Sequence, residues 1–461
     1  NGFRILVALL AFGTVFAGVT VNTPNKQVYS KIRFQTIGDD NSQVIFEFGL
    51  DPECTKIDKA GALETILPAE AIDELKHKVD NLEILIPDME QYYLGRYAKF
   101  DANTVLADED FKYGSMGGFF TLKEMYAELD LMILNYKQYF TGADTIGRSA
   151  GGNPIVAYHF GSTDAGAPQI LITNLIHARE PGGMTTSLYF LKRALRQAEE
   201  GDTEFTYLFG NRSVYYIPAV NPDGYLYNEE ISPEGGGMWR KNTRKTSDTT
   251  LGVDLNRNFG PYDFWNSSNL GSSTKPKDAT YRGPYPFSEP ETQALRQFAM
   301  KQKFDIVINN HTFGGYLVHP NSALGIQTAD SAIFRAFCSE FTKENFYSYG
   351  LDLETVGYGV RGDSDDWFYT EDSLKQKTFA ITPEIGNQND GFWPPIERIP
   401  EQCRENFDMY RQALWSAGAN IRLKGWKPDC NENKMKSFIT LAIINAGTRP
   451  AAQESELHLK S

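Results

Sequence analysis

The chain has 461 residues, enough for two or three domains, and 41% hydrophobic with 13% aromatic residues supports a large packed core rather than a disordered chain. A formal net charge of −14 and the lack of any Lys/Arg run exclude the basic face that nucleic-acid binding requires. Four cysteines, Cys54, Cys338, Cys403 and Cys430, permit one or two disulfides in an oxidising compartment, with three full pairings open; their spacing is not that of a zinc knuckle.

Residues 1–17 carry Arg4, an apolar stretch from Ile5 and a small-residue ending at Ala17, the pattern of a signal peptide and too short to span a bilayer comfortably. Residues 18–95 alternate strand-like stretches, Val28–Phe34 and Gln43–Phe48, with a helical one, Ala69–Asp80, and predict a small α+β pro-segment. Residues 96–117 are polar, rich in Asp and Gly, and begin at Arg96. They predict an exposed linker open to an activating protease.

From 118 to 420 strand-like and helical stretches alternate. Thr121-Leu-Lys-Glu124 is a capping box ahead of the helical Met125–Tyr139. Gln169–Ile176, Ser213–Val220, Phe304–Asn310 and Thr378–Thr382 read as strands, and Thr185–Glu199, Glu289–Lys303, Ser331–Phe346 and Gln402–Ala417 as helices, with Ser288-Glu-Pro-Glu291 a second capping box. This order predicts an α/β domain with a mixed central sheet and helices on both faces. Long polar, Gly/Pro-rich segments between 225 and 290 suit loops that build a site. Residues 421–461 predict the truncated start of a further β domain, with Ile439–Asn445 as one strand.

The chemistry centres on His177-Ala-Arg-Glu180 and His311. A His-x-x-Glu pair arises readily by chance, but both segments follow apolar strand-like runs, and strand ends are where open α/β sheets carry their chemistry. His177, Glu180 and His311 supply a two-His, one-carboxylate set with an open fourth position, the arrangement of a single catalytic Zn2+. Of the other histidines, His77, His159, His319 and His458 have no comparable carboxylate context, and His159 and His319 read as packed rings. Glu384, in Thr382-Pro-Glu-Ile-Gly386, follows another strand-like run, where a buried carboxylate can act as the base for water at the metal. A hydrolytic site also requires a fixed cation for the developing oxyanion.

After the His/Glu pair come Asn221-Pro-Asp-Gly-Tyr225, Met238-Trp-Arg-Lys241, Gly252-Val-Asp-Leu-Asn-Arg-Asn-Phe259, Tyr281-Arg-Gly-Pro284 and Phe287-Ser-Glu-Pro-Glu291, with Ile146-Gly-Arg-Ser149 and Gly152-Asn-Pro-Ile155 upstream. Together they resemble the zinc metallocarboxypeptidases of the carboxypeptidase A and B type, across residues 118–420. The resemblance implies a secreted zinc exopeptidase, monomeric and made with a removable pro-segment, acting on peptide or protein C-termini in an extracellular or lumenal compartment. It gives Asp254 the orientation of one ligand imidazole, Arg240 the oxyanion, and Asn256 with Arg257 the clamp on the terminal carboxylate. Arg179 contacts substrate farther along the cleft, and Tyr358 is the mobile tyrosine of a Gly-rich loop. Asp365 lies at the bottom of the pocket for the C-terminal side chain, where members preferring Lys or Arg carry Asp.

Two departures stand out: Thr382-Pro383 before Glu384 with Ile385-Gly386 after it, and Phe313 where pancreatic members have a tyrosine. Two rivals remain, a sister zinc hydrolase acting on peptidoglycan stem peptides or amino-acid tails, and a zinc-binding homologue without catalysis. Glu384, Arg240 and the Asn256/Arg257 pair speak against the second, because a purely structural site needs none of them.

Overall fold

The buried apolar runs pair into one eight-stranded mixed sheet in the computed structural model, which describes residues 26–35, 45, 48–58, 60–97, 108–247, 249–269, 271–430 and 437–451. Across this sheet the strands run Ser348–Gly350, Tyr316–Val318, Phe379–Glu384, Phe304–Asn309, Gln169–Thr173, Ser213–Ile217, Pro154–Gly161 and Phe140–Arg148. The four central strands, Phe379–Glu384 through Ser213–Ile217, are mutually parallel, and the two at the Phe140 edge are antiparallel. Parallel strands need both faces covered, which explains their near-continuous apolar runs. Ile170, Ile172, Ile306 and Ile308 enter the larger core on one face, while Leu171 and Val307 enter a second core on the other.

Helices on the first face include Pro181–Glu199, Thr203–Asn211, Ser331–Phe341 and Phe407–Ser416; Pro290–Lys301 and Ser364–Thr370 lie on the second. The expected α/β architecture is the observed one. The parallel strands all point their C-terminal ends to one edge, and the segments carrying His177, Asn221, His311 and Glu384 leave from it.

The N-terminal unit is a separate four-stranded sheet in the order Lys56–Ile57, Leu63–Pro68, Tyr29–Gln35, Asp80–Ile86, with its own core around Ile32, Phe34, Leu63, Leu67, Ile72 and Leu75. Its helix stops at Leu75, well short of Asp80, which instead starts the strand paired with Tyr29–Gln35. Most of the predicted strand Gln43–Phe48 lies outside the described residues, as do residues 1–25.

Thr121 forms the predicted capping box: its hydroxyl accepts from Glu124 N at 3.2 Å and Glu124 accepts from Thr121 N at 2.9 Å. Ser288 does not cap. Glu289 is the N-cap of Pro290–Lys301, and the Ser288 hydroxyl donates to the Glu289 carboxylate instead. Gln402–Ala417 divides into two helices, Arg398–Glu405 and Phe407–Ser416. The exposure expected over 96–117 does not extend through it, because Asp110 is buried against Arg196 and Met116 is fully buried. Cys54, Cys338 and Cys403 are buried and free, so none of these three forms the expected disulfide. The strand Ser437–Asn445 pairs with Ile421–Cys430 as a hairpin.

Candidate metal centre and substrate cleft

Two ligands come from the turn after strand Gln169–Thr173. Glu180 is the N-cap residue of Pro181–Glu199, with Pro at the first helical position. A Cβ on Gly183 would lie 2.5 Å from the Asn310 Cβ, and one on Gly182 would lie 2.9 Å from the Thr312 hydroxyl. Only glycines let this helix press against the segment carrying His311. His311 extends its strand by one bridge to Glu384, donating its backbone N–H to Pro383 O at 3.0 Å.

The three ligands converge as the sequence predicts. His177 Nδ1 lies 2.9 Å from one Glu180 oxygen and His311 Nδ1 lies 3.0 Å from the other. The buried His311 Nδ1 has no hydrogen bond of adequate geometry, as expected of a nitrogen kept for a metal. A fourth residue, and a second carboxylate, joins them. Glu53 of the N-terminal unit brings its ligand atom and those of His177, Glu180 and His311 within 4.8 Å of one another. Two imidazoles, two carboxylates and near-complete burial fit a single zinc ion, and the cluster is a catalytic-type zinc site.

Asp254 holds the next layer. Its Oδ1 faces His177 Nε2 at 3.0 Å and accepts from Asn256 N at 3.0 Å, while Oδ2 accepts from Arg240 Nε at 3.0 Å. Burial opposes its charge, but Arg240 and His177 hold the carboxyl well below the usual range. That fixes the ring with Nδ1 turned to the ligand cluster. Asn256 Nδ2 lies 3.3 Å from His311 Nε2.

The arginines divide between two jobs. Arg240 contacts Glu53 through Nη1 and lies 3.7 Å from Glu180. Arg179 contacts Asp51, lies 3.3 Å from Glu53, and stacks 4.2 Å above Phe392. Arg257 is buried, donates to Gly271 O and Asn256 O, and keeps Nη2 without a partner. One cavity is lined by Glu53, Asn256, Arg257, Tyr358, Asp365 and Glu384, with His311 at its wall. Burial, then the Glu180 and Glu53 charges, push the Glu384 carboxyl well above its usual range. Burial and Glu53 do the same to the Tyr358 phenol. Asp365 accepts from Asn309 at 2.6 Å, and burial with nearby Asp363 pushes it up to about 8.

Glu53 and Asp51 were not legible in the sequence. Asp51-Pro-Glu-Cys54 has no histidine nearby, and Glu53 stands 124 residues or more from every other ligand, so only the packing of the N-terminal unit over the cleft brings it in. Asp51 caps the single turn Pro52–Cys54 by accepting from Glu53 N at 3.1 Å, which stiffens the carboxylate's approach. His159 stacks on Tyr215 and His319 on Phe334, both packed rings as predicted. No helix among the described residues is long and apolar enough to cross a membrane.

The zinc carboxypeptidase family profile matches residues 125–409. Carboxypeptidase A1 of Rattus norvegicus is 26% identical over 342 residues, 71% of this chain and 75% of the rat protein. Carboxypeptidase B of Helicoverpa zea is 30% identical over 281 residues, 56% of this chain and 61% of the moth protein. Among solved structures, thrombin activatable fibrinolysis inhibitor aligns with a TM-score of 0.65 at 21% identity, over 84% of this chain and 98% of that one. Carboxypeptidase A from Helicoverpa armigera aligns at 0.66 and 18% identity, over 86% and 98%. At these identities the structural likeness is one of fold.

Proposed function

The chain belongs to the zinc carboxypeptidase family, and we propose that it is a secretory-pathway precursor whose processed form removes C-terminal residues, preferring Lys and Arg. It is a zinc-dependent exopeptidase of the carboxypeptidase A/B type. The observation that carries the reading is the buried Arg257 Nη2, unpartnered in the same cavity as Glu384 and His311. A guanidinium so presented suits a peptide's terminal carboxylate, and an endopeptidase cleft has no use for it.

Each residue then has a task. His177, Glu180 and His311 hold zinc, which when bound supplies Lewis acidity and lowers the pKa of water. Asp254 fixes the His177 ring. Glu384 takes a proton from the attacking water and returns it to the leaving amine. Arg240 donates to the oxyanion as it develops, and Asn256 with Arg257 holds the terminal carboxylate. Tyr358 borders the pocket on a loop flanked by Gly357 and Gly359, and Arg179 meets substrate farther out.

In the full chain two of these groups, Arg240 and Arg179, are taken. Glu53 engages Arg240 and sits among the ligands, and Asp51 engages Arg179, so substrate has neither cation. Residues 18–95 act as a pro-segment on this reading, released by an activating protease cutting within 96–117.

Asp365 supports the basic preference, since a buried carboxylate without a cation is costly. The relatives include both A1- and B-named enzymes, so the preference rests on this residue. The test is a panel of blocked dipeptides ending in Lys, Arg, Phe or Leu, given to the intact chain and to chain activated by limited proteolysis. Activity that appears only after cutting and favours Lys and Arg supports the proposal. Equal activity before cutting, or preference for Phe, overturns the corresponding part.

A further inference from the structure

Asp365 is not alone in its pocket. Asp352, at the start of the short turn Asp352–Glu354, and Asp363, the N-cap of helix Ser364–Thr370, line the same cavity, and both are buried, with 0% and 5% of their surface exposed. Each carboxylate spends one oxygen on the backbone: Asp352 Oδ2 accepts from Val360 N at 2.7 Å and Asp363 Oδ1 from Asp366 N at 2.9 Å. The other oxygen of each, Asp352 Oδ1 and Asp363 Oδ2, is buried with no hydrogen-bond partner. Neighbouring Asp366 provides the contrast, because both its oxygens accept backbone N–H groups, from Ser322 at 3.0 Å and Ala323 at 2.7 Å. Asp366 is a structural acid. Asp352 and Asp363 are half structural and half unsatisfied.

Buried polar atoms without partners are rare in folded proteins and call for an explanation. Here three carboxyl groups share one enclosed space, and burial pushes Asp352 up to about 7 and Asp365 up to about 8. Such groups are poorly satisfied until a cation arrives. Arg257, which lines the same cavity, is the nearby cation, but among the described residues it makes no ion pair within 4 Å with any of them; its bonds go to Gly271 and Asn256, and its buried Nη2 has no partner. The residues lining the cavity thus carry one unpartnered guanidinium nitrogen and two unpartnered carboxylate oxygens. A C-terminal amino acid whose own side chain is cationic has the matching charges, an α-carboxylate for the first and an ammonium or guanidinium for the second.

We propose that Asp352 and Asp363 are specificity-determining residues that, together with Asp365, form a three-carboxylate receptor for the cationic side chain of a C-terminal Lys or Arg. This rests on the exopeptidase reading above and adds two residues to the pocket. Asp365 contributes an acid from the first turn of helix Ser364–Thr370, Asp363 closes that end from the cap position, and Asp352 reaches in from a different segment. Carboxylates supplied by two separate segments suit a cation that carries several N–H donors.

The test uses the zinc-loaded full chain, activated by limited trypsin digestion and quenched with a serine-protease inhibitor. Asp363→Asn and Asp352→Asn keep a side-chain oxygen for the Asp366 and Val360 N–H groups, so each removes the charge while retaining the backbone bond. Expected for each variant is a loss on the order of tenfold in kcat/KM toward dipeptides ending in Arg or Lys, mostly in KM, with turnover of a Phe-ending dipeptide unchanged. The Arg and Lys arms separate a guanidinium from an ammonium preference. Binding of free arginine, measured calorimetrically on the same proteins without zinc, should weaken in parallel. If the parent prefers basic ends and both variants keep its selectivity ratio, this inference fails while the Asp365 reading stands. If Arg- and Phe-ending substrates decline together, the two acids are structural. A parent enzyme that prefers Phe overturns the basic-preference reading itself.

Discussion

At the residue scale, Glu384 and Arg257 carry the most specific expectations. Glu384→Gln keeps shape and hydrogen bonding but cannot take a proton, so turnover should fall by on the order of 100-fold or more while zinc content stays at one per chain by metal analysis. Retained turnover would remove Glu384 from the role of base. Arg257→Ala should cost roughly 10- to 100-fold in kcat/KM, the range of a charge-assisted hydrogen bond, and should erase discrimination between free and amidated C-termini. Variant and parent with the same discrimination would assign carboxylate recognition elsewhere.

That His177, Glu180, His311, Glu384, Arg240 and Arg257 gather in one place was legible because each stands in a short segment with its own signature, and convergence at strand ends needs no knowledge of the intervening loops. Glu53, Asp352 and Asp363 were not. Glu53 and Asp352 stand in short turns without a chemical signature and Asp363 reads as a helix cap, so their place at the site is set by packing that the sequence does not declare.

At the element scale, caps and buried acids give measurable consequences. Thr121→Ala removes the hydroxyl that accepts from Glu124 N and should lower unfolding stability by about 1 kcal/mol in urea titration. An unchanged midpoint would mean that the Glu124 half of the box suffices. Glu229, on helix Pro222–Ile231, accepts from Leu122 N at 2.6 Å at the head of helix Leu122–Asn135, and burial pushes it up to about 7 from 4.5. A carboxyl with a raised folded pKa favours the fold when protonated. Its contribution is therefore present below about 4.5 and lost as pH rises through about 7. Glu229→Gln should flatten the fall in thermal midpoint between pH 5 and pH 8; a slope equal to the parent's would assign the pH dependence to other groups.

Element types were readable from periodicity, but ends were not. The Ser288 capping box failed because Glu289 takes the cap position directly before Pro290, and the helix predicted to Asp80 stopped at Leu75 because the following residues pair with Tyr29–Gln35.

At the scale of the whole molecule, two units meet at one carboxylate. The larger sheet gathers His177, Glu180, His311 and Glu384 at the C-terminal ends of its strands, and the smaller one carries Glu53 on a capped turn into that group. The length allowed two or three domains and the alternation of elements predicted a sheet with covered faces; that Glu53 of the smaller unit joins the ligands of the larger emerges only from their packing. On the proposed reading, Glu53→Ala in the uncut chain should free Arg240 and raise its activity above that of the uncut parent. Equal activity would mean that bulk coverage, rather than this contact, keeps the cleft shut.

The most direct measurement is mass spectrometry of a peptide ending in Arg, incubated with the proteolytically activated chain before and after chelation and again with zinc restored. The account predicts loss of the single C-terminal residue, stopped by the chelator and recovered with zinc. Cleavage within the peptide, or single-residue loss that persists without metal, would contradict it.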